Sequence, residues 1–232
     1  MADTTDVLAA ITGWIYFFAW SISFYPQVFL NYKRKSTDGF SVEFATLNPQ
    51  GFFFYSLYTV AGFIDPVKSK AGTPELNDVF FALHAFILSS IQLSQIFVYD
   101  KSMKGEQKKL VMWPVILIAF EWLFVLSIFF VEISGVKMDE NIQFLRATGY
   151  CKALITFVKY MPQVYSNYKR KSTEGWSIAN IMLDFTGGLF SVLQDVIKAV
   201  GHGESPFSGG GFNIVKWMLG IMSIIFDLIF MF

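Results

Sequence analysis

The chain has 232 residues, of which 54% are hydrophobic, 19% aromatic and only 16% charged, with a mean hydropathy of +0.47. Soluble domains carry roughly a quarter charged residues, so this composition excludes an ordinary water-soluble fold and points to a bilayer. Formal net charge is zero and Cys151 is the one cysteine, which excludes a nucleic-acid surface driven by bulk charge, an intramolecular disulfide and a cysteine metal set.

In chain order, seven apolar stretches appear, at about 8–31, 42–64, 79–99, 110–133, 142–168, 178–200 and 212–232. Each is near the ~20 residues that a spanning helix needs. The first follows Asp3 and Asp6 rather than a basic leader and has no small-residue cleavage site after it, so it reads as a span and not as a cleaved signal. The expected fold is therefore an all-α membrane protein with seven transmembrane helices. Between the stretches, Lys33, Arg34, Lys35, Lys101, Lys104, Lys108, Lys109, Lys169, Arg170 and Lys171 fall on one side. Opposite them stand Lys68, Lys70, Lys137 and Lys198. An excess of basic loop residues marks the cytosol, which places the N-terminus in the lumen and, with seven crossings, the C-terminus in the cytosol. Lys33–Lys35 and Lys169–Lys171 are topology signals first and candidate contacts for anionic lipid second. The glycine-rich run 205–211 reads as a flexible luminal loop.

One segment is written twice. From Pro26 to Ser41 and from Pro162 to Ser177, twelve of sixteen positions are identical. The offset of 136 residues is far longer than a solenoid period and indicates a duplicated half. Four crossings separate the copies, so they point the same way through the membrane. This predicts two parallel three-helix bundles, 1–100 and 141–232, joined by an inverting linker helix within 101–140. Parallel repeats of this kind belong to transporters that hold their substrate between the halves near the midplane. Proline inside a helix removes a donor and frees carbonyls; Gln27 and Gln163 have amides that can meet them. Pro26, Gln27, Pro162 and Gln163 are accordingly candidate hinges, a static packed kink being the plainer alternative.

Polar residues deep in a span are expensive and mark function. Asp184 lies in the sixth stretch with Asn180 one turn before it on the same face, and Asn48 occupies its position in the first repeat. One half thus offers an amide where the other offers an acid. Desolvation disfavours a charged carboxyl, so an acid in a dehydrated cavity can load a proton from an acidic lumen and release it to the cytosol. Lys152 and Lys159, seven residues apart on the fifth stretch, share a face. They need an acidic partner, with a Lys159–Asp184 ion pair as one candidate, or an anionic substrate. Asp78 sits where a first-turn acid is stabilised by the helix dipole. His84 is either a proton relay or a hydrogen-bonded core histidine. Glu121, Glu132, Arg146 and Asp195 have no evident role beyond pairing with neighbours.

Several segments, Ser23–Val28, Asn77–Ala85, Val158–Tyr160, Lys171–Ile178 and Leu183–Gly188, together resemble the PQ-loop family and, within it, the cystinosin branch of lysosomal cystine exporters. The chain opens almost directly on its first span, as expected of a short-N-terminus homologue. The resemblance implies proton-coupled export of L-cystine from a lysosome or vacuole by alternating access, with no cofactor and no metal. It places the substrate on Asn48, Lys152, Lys159, Asn167, Asn180 and Asp184. It makes Asp78 a second proton-linked acid beside Asp184, with His84 as a possible relay, and makes Lys216 and Asp227 a structural or gating pair. Alternatives are another amino-acid or sugar carrier built from two such halves, and a seven-helix sorting receptor of the ER-retrieval type. Nothing in the sequence pairs a nucleophile with a base, so an enzyme is not expected.

Overall fold

The computed structural model describes residues 4–65, 74–100, 111–137, 142–201, 203 and 214–231. Among them every regular element is an α-helix: α1 Thr4–Arg34, α2 Val42–Ile64, α3 Leu76–Asp100, α4 Met112–Ile133, α5 Phe144–Arg170, α6 Ile178–Gly201 and α7 Ile214–Met231. These are the seven expected stretches, with α1 extended at both ends and α5 carried through its basic cluster. Lys33, Arg34, Lys169 and Arg170 sit in last turns, where positive charge complements the helix dipole. The basic loop residues 101–109, Lys68, Lys70 and the glycine-rich run lie outside the described residues. By length and hydropathy alone, α1, α3, α4 and α7 qualify as membrane spans. The other three, α2, α5 and α6, are the helices that carry Asn48, Lys152, Lys159, Asn180 and Asp184 inward, which lowers their mean hydropathy.

The packing order explains how the repeat builds a chamber. In the first half α3 contacts both α1 and α2; in the second α7 contacts both α5 and α6. Across the halves, α1 packs on α6 and α2 on α5. Under the repeat these two cross-contacts are the same contact made twice. Helix α4 adds to the edge of α2 and α5 and buries only Pro114, Glu121, Val125 and Ile128. Paired glycines allow the closest approaches. A Cβ at Gly187 would overlap the Trp20 indole of α1, and one at Gly188 would lie 2.9 Å from the Gly220 carbonyl of α7. One side of α6 thus meets each neighbour.

Both Pro-Gln motifs send their glutamines across to the opposite half. Helices α1 and α5 run on through Pro26 and Pro162. From α3, Gln92 Nε2 donates to Phe24 O (3.2 Å) and Gln95 Nε2 to Val28 O (3.0 Å), neither of which is the carbonyl four residues before Pro26. Gln27 instead reaches the other half. Its Nε2 donates to Gly175 O (3.0 Å) and its Oε1 accepts from Ser177 N (3.0 Å). Gln163 does the same in reverse, donating to Gly39 O (2.8 Å) and accepting from Ser41 N (2.8 Å). Each glutamine clasps the loop of the opposite half in a two-point grip, because a side-chain amide presents the same donor–acceptor pair as a peptide group. The reason the expectation missed this is topological: a cross-half contact has no signature within either copy.

The two loops share one backbone course. Lys35 and Lys171 both have φ 50, and Gly39 and Gly175 have φ 93 and 90. Positive φ is strained for any residue with a Cβ. Here the loops also touch: a Cβ at Gly39 would overlap Glu174 O and one at Gly175 would overlap Asp38 O. Gly135 has φ 78 with nothing within 4 Å. Gly135→Ala should therefore cost only the left-handed penalty, about 1–2 kcal/mol, whereas Gly175→Ala should lower the thermal unfolding midpoint further. Equal midpoints for the two variants in detergent would show that the loop–loop contact adds nothing.

Candidate functional site

Between the halves lies a cavity of about 560 Å3 of non-atom space, part of it open to solvent. Its charged groups all come from the second half. Lys152 and Lys159 enter from α5 and Asp184, with Asn180, from α6. The first half contributes Asn48 from α2 and the aromatic wall of Trp20, Phe44 and Phe52.

Each charge is held differently. The Lys159 ammonium donates to Asn48 Oδ1 at 2.8 Å and lies 4.6 Å from the centre of the Tyr160 ring. Asp184 Oδ2 accepts from the Tyr160 hydroxyl at 2.6 Å, and the Asp184 carbonyl accepts from Trp20 Nε1 at 3.0 Å. The expected ion pair between Lys159 and Asp184 is therefore not made: among the described residues no contact within 4.0 Å joins them. Two neutral groups take its place, the Asn48 amide from α2 on Lys159 and the Tyr160 phenol from α5 on Asp184. Lys152 is 1% exposed and its ammonium rests 3.5 Å from the centre of the Phe52 ring. A cation–π contact offsets part of a buried charge but leaves its N–H donors pointing at the cavity.

The remaining expected residues fall elsewhere. Asn167 is outside the cavity. Its Oδ1 accepts from Gln163 Nε2 (2.9 Å) and Arg170 Nη2 (3.1 Å), so it braces the loop clasp, just as Asn31 accepts from Gln27 Nε2 (2.9 Å) in the first half. His84 is likewise apart: its Nε2 and the Tyr25 hydroxyl are 3.0 Å from each other on an outward face. Lys216 and Asp227 do not pair. Eleven residues along one helix separate them by about 16 Å of rise, and Lys216 instead meets Asp78 at 3.3 Å and Asp195 at 3.7 Å. Asp227 is buried near Asp184 and Lys159, with Oδ2 unpartnered. Asp78 takes a first-turn position in α3, accepting from Glu75 N (2.8 Å) and from the Tyr16 hydroxyl.

Sequence reasoning missed the network around Lys216. Gln194 accepts from Lys216 and donates to Ala9 O (2.9 Å) and Glu75 Oε2 (3.1 Å); Lys198 pairs with Glu75. These contacts join α1 and α3 to α6 and α7 at the end of the molecule opposite the Pro-Gln loops. The cavity is thus bridged at both ends, mainly by the glutamine clasps on one side, with Arg34–Glu174 at 3.5 Å beside them, and mainly by charged side chains with Gln194 on the other. Of the unassigned residues, Glu132 Oε2 accepts from Phe144 N (2.8 Å), tying α4 to α5. Glu121 is buried on α4 with neither oxygen bonded and lies away from the cavity.

A scan against protein families matches the PQ loop repeat at residues 8–67 and 144–199, one match in each half. The chain belongs to the PQ-loop family. It is 40% identical to a cystinosin homolog of Caenorhabditis elegans, over 97% of this chain and 56% of that protein. It is 39% identical to cystinosin of Bos taurus, over 99% of this chain and 63% of that protein. To a cystine transporter of Saccharomyces cerevisiae it is 30% identical, over 99% of this chain and 92% of that protein. The chain therefore spans little more than half the length of several curated relatives it matches. The fold is the seven-helix membrane fold of the family, and the two matched segments are the pairs α1–α2 and α5–α6 that carry the clasps and most of the cavity's polar groups.

The state of Lys152 can be checked without any ligand. A buried charge whose donors lack acceptors is a net cost, and replacing such groups by well-packed apolar ones is often neutral or stabilising by about 1–4 kcal/mol. Lys152→Met is expected to hold or raise the thermal midpoint of the ligand-free protein. A clear drop would mean that the ammonium is already compensated.

Proposed function

We propose that the protein exports L-cystine from a lysosome or vacuole to the cytosol, coupled to protons and by alternating access. One observation carries the reading: two ammonium groups, a carboxyl and the amides of Asn48 and Asn180 line one cavity between duplicated halves. Cystine presents two carboxylates and two ammonium groups. Lys152, Lys159 and the amides of Asn48 and Asn180 suit its carboxylates, since buried charges are tolerated when paired. Asp184 suits an ammonium or a proton, and the Tyr160 hydroxyl bonded to it gives it a partner while the cavity is empty. A sugar has no use for two cations, which disfavours the uniporter alternative. The names of the relatives, cystinosin and cystine transporter, agree with this substrate. No metal, cofactor or nucleophile enters the proposed cycle.

In the cycle, residues 1–100 and 141–232 move as two units about the linker within 101–140, and the cavity is exposed to one side at a time. The Pro-Gln loops with their basic clusters face the cytosol, the positive-inside rule being the ground for this. The N-terminus is then luminal. Opening toward the cytosol breaks the clasps of Gln27 and Gln163, so Pro26 and Pro162 act by placing these amides rather than by flexing. Opening toward the lumen breaks the contacts of Lys216. Asp78 belongs to that luminal seal, and Asp227, next to the charged set, to the cytosolic side of the cavity. His84, bonded to Tyr25, has no part in the proton path proposed here.

Counterflow of labelled L-cystine in proteoliposomes, against lysine and glucose as competitors, tests the substrate. Cystine alone should exchange. With the inside acidified, net efflux should rise in the parent protein, while Asp184→Asn should exchange at a reduced rate and lose its response to the gradient. Undiminished gradient-driven transport by Asp184→Asn would remove Asp184 from the proton path. Failure of any cystine flux would leave the sorting-receptor alternative in place.

A further inference from the structure

The two ends of the cavity are bridged by different chemistry. At the Pro-Gln end the principal links are amide-to-backbone bonds, made twice by the repeat. At the opposite end they are ionisable side chains, and the repeat does not reproduce them. Asp78, Asp195 and Lys216 have Ile214, Thr59 and Phe80 as their counterparts at the repeat offset. The triad is thus a feature of one end only and is not copied by the repeat.

Its inner part is a triad of two acids on one cation. Lys216 reaches Asp78 Oδ1 at 3.3 Å and Asp195 Oδ1 at 3.7 Å, and the side chains are 3%, 2% and 11% exposed, respectively. With Gln194 Oε1 as the third acceptor, the three donors of the ammonium are matched. The two carboxyls are not equal. Asp78 accepts from Tyr16 O–H, Glu75 N–H and Lys216, so both of its oxygens are met. Asp195 has only the longer contact to Lys216, and its Oδ2 is buried without a partner. Other ionisable groups facing the triad are Tyr16 from α1, Tyr55 and Tyr58 from α2, and Lys198 on Asp195's own helix. The Tyr55 hydroxyl is also buried and unpartnered. Lys198 is matched by Glu75, at about one-third exposure each, and Asp6 beyond it is exposed. The balanced outer pair leaves the buried triad with one negative charge in excess.

We infer that the far-end seal closes with one proton bound, and that this proton sits on Asp195. Two ionised carboxylates around a single buried ammonium repel each other. A buried carboxyl with an orphan oxygen, as at Asp195, is the site where a proton replaces a missing donor. The sign follows. Acid fills Asp195 and favours the closed seal; at higher pH the excess charge opens it. In the carrier cycle proposed above, on which this role rests, the acidic lumen would itself promote closure behind the substrate. Asp195 is then a positioning residue: it touches no substrate and sets the pH at which one gate shuts.

The test uses no substrate and no gradient, so it stands or falls separately from cystine transport. Spin labels at Leu76 on α3 and Ile214 on α7, both about half exposed, in a Cys151→Ala background report the separation of the two helices that Lys216 joins. In the parent, the long-distance population should fall as pH is lowered, its ratio to the short one changing by no more than about tenfold per pH unit for one proton. Asp195→Asn should give the short distance at all pH values, and Asp195→Glu should restore a pH response. Asp78→Asn, which removes acceptors of Tyr16, Glu75 and Lys216, should give the long distance throughout. The inference is overturned if the parent shows no pH response, if Asp195→Asn keeps it, or if Asp195→Asn is open at every pH.

Discussion

Hydrocarbon offers no hydrogen bonds, so every polar group that this chain buries must be met by another part of the chain. The solution taken here is to supply the partner from the opposite half. Gln27 meets Gly175 and Ser177, Gln163 meets Gly39 and Ser41, Lys159 meets Asn48, and Lys216 meets Asp78. Apolar packing between the halves is present on both sides of the cavity, but dispersion between helices is little different from dispersion against lipid tails. The cross-half polar contacts therefore decide how the halves stand. They are also few and localised at the two ends and the middle of the cavity, which is where a carrier needs contacts that can be exchanged.

This arrangement explains what could be read from the sequence and what could not. Seven spans, the duplicated halves and the inward set Asn48, Lys152, Lys159, Asn180 and Asp184 follow from periodicity, repeat offset and the cost of buried charge, all of which are properties of one helix at a time. The partners are properties of two helices. That Tyr160 rather than Lys159 meets Asp184 depends on how α5 is rotated against α6, and that Asn167 braces a loop depends on Arg170 and Gln163 converging on it. Asp195 and Gln194 carried no signal, since an acid and an amide near a helix end usually face solvent. The wrong pairing of Lys216 with Asp227 had a checkable fault: residues eleven apart on a helix cannot reach each other, whatever face they share.

The Pro-Gln motif itself is clarified. Proline in a span is commonly taken as a flexing point, yet both helices continue through it. The neighbouring glutamine does more to define the structure than the proline does. A glutamine side chain is long enough to leave its helix and carries the donor and acceptor of a peptide unit, so it can dock onto a loop as a further strand would. The glycine at positive φ and the serine two residues later present the carbonyl and N–H that this grip needs. Motif and loop are thus one device, and each half holds only part of it.

Duplication makes equal halves, and the cavity shows where they have since diverged. At the repeat offset Tyr16 faces Lys152, Ser23 faces Lys159, Phe24 faces Tyr160, Phe44 faces Asn180 and Asn48 faces Asp184. In every pair the charged or more polar member belongs to the second half. The mutual electrostatics of Lys152, Lys159 and Asp184 are then internal to one unit and do not change when the units rock, which keeps the substrate's polar contacts intact through the movement proposed here. The first half meets them with aromatic faces and one amide, that of Asn48, whose oxygen accepts from Lys159. An even split of the cavity's charges would have added an ion pair across its middle to the Lys216–Asp78 contact already made between the halves at one end.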